Sequence, residues 1–257
     1  MDAYYASTTL QGNMMPYTKN YFVHYFSTDI KRNLRVTSLM KFFEDIAVLQ
    51  SENLNAGLDY YEKEKCAWVM YKWDVKIYKY PKFMDEIKII TIPNAYKKFY
   101  ANRLFEVRDK NDELLAEGNS IWIFLNTENK RPKAVPQIFG ELYEMNPDAE
   151  IINIENPEPP KKITHEKEFQ VRYYDIDTND HVNNVQYVEW ALEAIPIEIK
   201  NNYLLKRLKT IYKKEVNLGD RIKSHAEIIE KENEIACYHL ISNHETEACV
   251  IETYWER

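Results

Sequence analysis

Between residues 185 and 195, Val185, Val188, Leu192 and Ile195 recur at helical spacing, while Tyr187, Trp190, Ala191 and Ala194 cover most of the remaining circumference. Gln186, Glu189 and Glu193 make a narrow polar stripe, and Pro196 closes the run. A helix this apolar has to be wrapped, and a curved antiparallel sheet is the natural wrapping. The same succession of patterns occurs earlier in the chain. Placing Asp29 on Asp177 sets Tyr25 and Phe26 on Tyr173 and Tyr174, and Leu39, Met40 and Phe42 on Tyr187, Val188 and Trp190. A strand-like stretch, a polar loop and an apolar helix therefore occur twice, over 21–56 and over 168–195.

Alternation of apolar and polar residues predicts a long strand over 67–78 and others at 86–92, 99–107 and 116–125. After the second helix, strands are expected at 208–216, 221–229, 235–241 and 248–255. Gly57 is the expected stop of the first helix, and 81–85 and 217–220 are expected turns. Matching Asp85 to Asp220 places Tyr80 opposite Glu215. Residues 126 to about 166 hold six of the chain's ten prolines and many charges, so they cannot supply central strands and read as a linker. The expected organisation is a first unit at 1–130, a linker at 131–164 and a second unit at 165–257. Each unit sets one helix against several antiparallel strands, an α+β class.

With 257 residues the chain is long enough to bury roughly 70–75% of its unfolded surface. Hydrophobic residues are 45% and charged residues 29%, which excludes general disorder. A net charge of −7 speaks against nucleic acid as a partner, because phosphate binding needs an excess of Lys and Arg. No run of eighteen apolar residues and no charged-then-apolar leader pattern occurs, so a cytoplasmic protein without membrane insertion is expected. Cys66, Cys237 and Cys249 are odd in number and widely spaced in apolar runs, which suits reduced buried thiols.

Candidate chemistry concentrates in the second polar loop, where Asp177, Asn179 and His181 sit two apart at the entrance of the helix. The start of that loop is like a calcium loop, but its sixth position is Asp180 instead of Gly and its twelfth is Gln186 instead of Glu. The six histidines form no zinc-type spacing, and no metal is expected. A Cys-His pair among Cys237, Cys249, His225 and His239 lacks a partner Asn or Asp pattern. Asn183 and Asn184 are read first as helix caps.

Asp177-x-Asn179-x-His181-Val-Asn-Asn followed by an apolar helix resembles the signature of the acyl-acyl carrier protein thioesterases, which have two tandem hotdog domains, each an antiparallel sheet wrapped around a central helix. In that family a Glu follows on a later strand, and Glu215 stands at the family's separation from His181. The plant enzymes usually have a Cys after this Glu, whereas this chain has Val216, which argues against a thiol nucleophile and leaves a carboxylate-based reading intact. The resemblance implies a catalytic set of Asp177, Asn179, His181 and Glu215. Glu215 would be a partly desolvated base that activates water, Asn179 and His181 would polarise the thioester or hold the water, and Asp177 would orient them; direct attack by a carboxylate is the other route.

It also implies an acyl slot near Met40, Phe43, Ile46, Asn184 and Trp190, an acyl-phosphopantetheine on acyl carrier protein as substrate, and no cofactor. A homodimer is left open. Lys130-Arg131-x-Lys133 and the other short basic runs are either solvated faces or a docking patch for the acidic carrier. Where the second unit has Asn179, His181 and Glu215, the first has Lys31, Asn33 and Tyr80, with only Asp29 retained, so a fused pseudo-dimer with one working site is expected. An acyl-coenzyme A thioesterase, a hotdog dehydratase or hydratase, and a non-catalytic acyl-binding module are the competing readings.

Overall fold

A computed structural model describes residues 16–145, 148–178 and 180–257. In the first half, β1 (Tyr17–Phe22) precedes α1 (Val36–Asn53) and the short α2 (Leu58–Lys63), followed by β2 (Cys66–Ile77), β3 (Glu86–Lys97), β4 (Tyr100–Arg108) and β5 (Leu114–Asn126). Then come β6 (Arg131–Pro132) and α3 (Gln137–Leu142). The second half has β7 (His165–Gln170), α4 (Asn184–Glu193), α5 (Ile197–Asn202), β8 (Leu204–Tyr212), β9 (Arg221–Glu230), β10 (Glu234–Asn243) and β11 (Thr246–Glu256).

These strands form one continuous antiparallel sheet in the order β1-β3-β4-β5-β2-β8-β11-β10-β9-β7, with β6 added to β5. Reading inward from the two ends gives the same sequence of elements twice, and the halves meet where β2 pairs with β8, with Trp73 opposite Thr210 and Val75 opposite Leu208. Burial alternates along β2, so Trp73, stacked on Phe43 of α1, faces the helices and Lys72 faces away. Both helices lie in one core, which includes Met40, Phe43, Ile46, Val185, Val188 and Ala191. Lys41 Nζ and Glu189 Oε1, 3.0 Å apart, link the two helices at their surface.

The internal repeat is visible down to single residues. Thr28 bridges Leu34 in the first half and Ile176 bridges Val182 in the second, which is the offset that puts Asp29 on Asp177. The left-handed positions follow suit: Arg32 (φ 65°) corresponds to Asp180 (φ 61°), and Met84 (φ 77°) to Gly219 (φ 85°). Asp85 and Asp220 each accept from a backbone N–H three residues earlier, Lys82 N and Asn217 N.

Four expectations change. The strand expected from Tyr21 to Phe26 begins earlier and stops at Phe22, because Ser27 Oγ and Thr28 Oγ1 donate back to His24 O and Tyr25 O and curl Tyr25–Ser27 into a 3-10 turn. The same happens at Tyr173–Asp175, where the Asp175 carboxylate accepts from Arg172 N at 2.8 Å and pairs with the Arg172 guanidinium. Strand β8 ends at Tyr212, so Glu215 lies in the following loop instead of on the strand. Asn55 (φ 55°), not Gly57, takes the left-handed stop after α1, and Gly57 instead begins α2.

The proline-rich segment expected as a linker is packed along much of its length. Val135, Phe139, Tyr143 and Met145 bury against Ala56, Cys66 and Phe124 of the first half. Further on, the chain crosses the seam on the face opposite the helices: Lys72 Nζ donates to Ile154 O at 2.9 Å, Lys209 Nζ meets Glu155 Oε2 at 3.1 Å, and Glu158 N donates to Glu252 Oε1 at 2.6 Å. Among the described residues no helix is long and apolar enough to cross a membrane.

Candidate active site

The loop before α4 is shaped by its own backbone. Asp177 N donates to His181 O at 2.9 Å and Asp180 N to Asp177 O at 3.1 Å, with Asp180 left-handed, so Asp177 and His181 are drawn tightly together. Asn183 caps α4, its side chain accepting from Val185 N at 2.9 Å. Cap and turn together present His181 at the helix entrance, the position its sequence suggested. Asn179 lies outside the described residues.

Glu215 is brought to the same place by its neighbour. Val216 is fully buried; its N–H donates to Tyr187 Oη at 3.1 Å, and its carbonyl accepts from Val182 N at 3.4 Å. These bonds tie the residue after Glu215 to α4 and to the residue after His181. As a result His181 Nε2 lies 3.0 Å from Glu215 Oε2, with the side chains 31% and 41% exposed. Asp177 is half-buried, and its charge is felt by Tyr187 and by Glu44.

Two residues join this group that sequence reasoning did not assign to it. Lys130, at the end of the turn after β5, puts Nζ 2.8 Å from Glu215 Oε2 and 3.3 Å from His181 Nε2. Its turn is held by Asn126 Oδ1, which accepts from Glu128 N and Asn129 N, and by the left-handed Lys130 itself (φ 53°). The second is Glu44 of α1, whose Oε2 accepts from Asn183 Nδ2 at 3.3 Å. Burial pushes its carboxyl up to about 7, with Asp177 adding to the rise and Asn183, Asn184 and Lys41 opposing it. A signal for Glu44 existed, since it is an acid at a core position of an apolar helix face; for Lys130 there was only membership of a basic run.

Of the expected acyl-contacting residues, Met40, Phe43 and Ile46 are completely buried, and Phe43 stacks on Phe105 with ring centres 4.7 Å apart. Asn184 meets Glu44, and its backbone carbonyl accepts from Tyr212 Oη at 3.0 Å. Trp190 is buried on another side of α4, against Phe169 of the outermost strand β7 and Tyr187. Two clefts lie around α5, one lined by Ile199, Tyr203 and Arg257 and the other by His165, Pro196 and Ile228, and neither includes a residue of the His181 group.

The thiols offer no nucleophile in this arrangement. All three are buried; burial pushes Cys237 up to about 12 and Cys249 well above its ordinary value, while His239 is pushed down to about 3 and stays neutral.

Two halves of one sheet, with the His181–Glu215 pair in the second, set the frame for comparison with known proteins. The family model described as the acyl-ACP thioesterase N-terminal domain matches residues 15–143, and that of the C-terminal domain matches 158–257. The chain belongs to the acyl-ACP thioesterase family. It is 24% identical over 226 residues to oleoyl-acyl carrier protein thioesterase 2 of Arabidopsis thaliana, covering 81% of this chain and 62% of that one. It is 23% identical over 247 residues to the palmitoyl-acyl carrier protein thioesterase of the same plant, covering 88% and 60%. The chain thus spans about three fifths of the length of these curated relatives.

Among solved structures, the 12:0-ACP thioesterase from Umbellularia californica superposes with a TM-score of 0.82 at 20% identity, covering 94% of each chain. An acyl-ACP thioesterase from Bacteroides thetaiotaomicron gives 0.80 at 19% identity, covering 94% of this chain and 98% of that one. These likenesses establish the double-hotdog fold for this family member, an α+β arrangement of two sheet halves each wrapped on a helix.

Proposed function

We propose that this protein hydrolyses the thioester of long- or medium-chain acyl-acyl carrier protein in the cytoplasm, releasing a free fatty acid and the carrier. The observation that carries this reading is the 3.0 Å contact between His181 Nε2 and Glu215 Oε2 at the entrance of α4. Residues 165–257 would be the catalytic half, 1–130 the half that shapes the acyl slot, and 131–164 the connection.

Glu215 takes a proton from a water molecule held with His181, and the water oxygen attacks the thioester carbonyl carbon. Charge develops on the carbonyl oxygen, where Lys130, His181 and Asn179 are the donors available to meet it. Collapse of the tetrahedral intermediate breaks the carbon–sulfur bond, and the phosphopantetheine thiolate leaves with the proton carried by Glu215 or His181. Asp177 orients the loop that bears Asn179 and His181. The acyl chain is placed along α1 beside Met40, Phe43 and Ile46, whose closed packing has to part to admit it. Asn184 and Trp190 would complete the substrate contacts from α4.

Palmitoyl-acyl carrier protein tests the reaction type. Release of free thiol and fatty acid supports hydrolysis, whereas an intact thioester with altered acyl chain would support a dehydratase. Without His181 (His181→Ala) or the Glu215 base (Glu215→Gln), turnover should fall at least about a hundredfold with the fold retained. Unchanged turnover in both variants would sink the reading.

A further inference from the structure

The apolar face of α1 contains one acid. Met40, Phe43 and Ala47 occupy core positions, and Glu44 falls at the same helical spacing. Its carboxylate does not stay within its own half. It accepts from Asn183 Nδ2 at 3.3 Å and lies beside the Asn184 side chain, which favours its ionised form, so it grips the cap of α4 and adjoins the first residue of that helix. Asn183 is two residues from His181, and the Asp177 charge acts directly on the carboxyl. Glu44 Oε1 and Asn184 Oδ1 are both out of water and without a hydrogen-bond partner. Two such acceptors in one buried group lack a hydrogen that a protonated Glu44 would supply.

We propose that Glu44, in the half without the His-Glu pair, is a positioning residue for the site in the other half: its ionised carboxylate holds the Asn183 and Asn184 amides and thereby the loop presenting Asp177 and His181. This rests on the hydrolase reading of that site.

The groups facing Glu44 are Lys41 on its own helix, Asp177 on the loop, Asn183 and Asn184 on α4 and Tyr212 on β8. Burial and Asp177 favour the neutral acid; the two amides and Lys41 favour the ion. The balance near 7 puts the change of state within the working range. The ion, present above that pH, accepts from both amides. The acid, formed as pH falls through it, donates to Asn184 Oδ1 and turns that amide over at the first turn of α4. Hydrolysis should therefore weaken on the acidic side for a reason separate from His181 and Glu215.

The test compares the pH dependence of kcat on palmitoyl-acyl carrier protein for the wild type, Glu44→Gln, Glu44→Leu and His181→Ala. Glutamine keeps an acceptor for Asn183 and adds a donor for Asn184 Oδ1 without titrating. It therefore mimics the acid: its kcat above pH about 8 should fall to the level wild type reaches on the acidic side, so the limb centred near 7 disappears. Leucine should lower kcat about tenfold or more with KM unchanged. Titration of His181 and Glu215 is common to wild type and Glu44→Gln, so the difference between their profiles isolates Glu44. Superimposable profiles would overturn the proposal, and they decide it even where the leucine variant fails to fold. If His181→Ala abolishes turnover while both Glu44 variants match wild type, only the Glu44 assignment falls; if His181→Ala is silent, the hydrolase reading falls with it.

Discussion

Lys130 Nζ lies 2.8 Å from Glu215 Oε2, joining the turn after β5 in the first half to the loop after β8 in the second. The two side chains are 62% and 41% exposed, and an ion pair that open contributes about 0–1 kcal/mol to stability. In the hydrolysis proposed above, the contact would serve catalysis instead, because the ammonium also stands 3.3 Å from His181 Nε2, where a developing oxyanion would be met.

Lys130→Met should lower kcat by about ten- to a hundredfold while leaving the denaturation midpoint nearly unmoved. Were Lys130 merely a docking charge for an acidic carrier, KM alone would rise, and the defect would grow weaker at high salt. Steady-state kinetics at two ionic strengths distinguish these outcomes.

Tyr187→Phe removes the acceptor of the Val216 N–H and leaves that donor buried, a loss of about 1–3 kcal/mol in stability. The same bond helps bring Glu215 to His181, so kcat should fall by about tenfold. Val216→Ala separates the two effects. It keeps the backbone bonds and deletes two buried methyl groups, costing about 2 kcal/mol in denaturant titrations with kcat within about threefold of wild type. A large catalytic loss in Val216→Ala would mean that the side chain, and not the backbone bonds, places Glu215.

Much of this arrangement was legible in the sequence because it depends on patterns that burial imposes. The two apolar helices, the long alternating strand that became β2, and the offset between Asp29 and Asp177 all reappear in the fold. The loop bearing His181 was legible for the same reason: a polar run before an apolar helix has little room to be anything else. The ends of elements were less so. Tyr173 and Tyr174 look like strand residues but are 73% and 93% exposed, because Asp175 and Arg172 close a turn beneath them. Contacts between the halves were the least legible, since Lys130 meets Glu215 and Glu44 meets Asn183 only after β2 has paired with β8. No local spacing encodes such a contact.

The thiols yield a negative prediction. Burial pushes the Cys237 thiol up to about 12 and the Cys249 thiol well above its ordinary value, and both are enclosed in the second half's sheet. Brief treatment with iodoacetamide below pH about 8 should modify none of the three cysteines in the native protein and leave turnover unchanged. Rapid loss of activity with one equivalent incorporated would show a reactive thiol that this fold does not account for.

Tyr80 stands where Glu215 stands in the other half, and its chemistry has been turned to structure. Its hydroxyl donates to Leu205 O at 2.7 Å across the seam, and burial raises it far above the ordinary phenol range, so it is neutral at every working pH. Lys31, the counterpart of Asn179, likewise reaches the second half, donating to Lys200 O at 3.0 Å, and the Asp29 carboxylate is taken up by the N–H groups of Lys31 and Asn33. The group that faces Glu215 across the pseudo-symmetry therefore braces the seam. Tyr80→Phe leaves the Leu205 carbonyl short of its donor, and stability should fall by about 1–3 kcal/mol. Because His181, Glu215 and Lys130 do not touch Tyr80, kcat at a temperature well below unfolding should change by less than about twofold. Equal losses of kcat and stability across Tyr80→Phe and Lys31→Ala would mean that the first half's loop takes part in catalysis, and the one-site reading of this double hotdog would have to be abandoned.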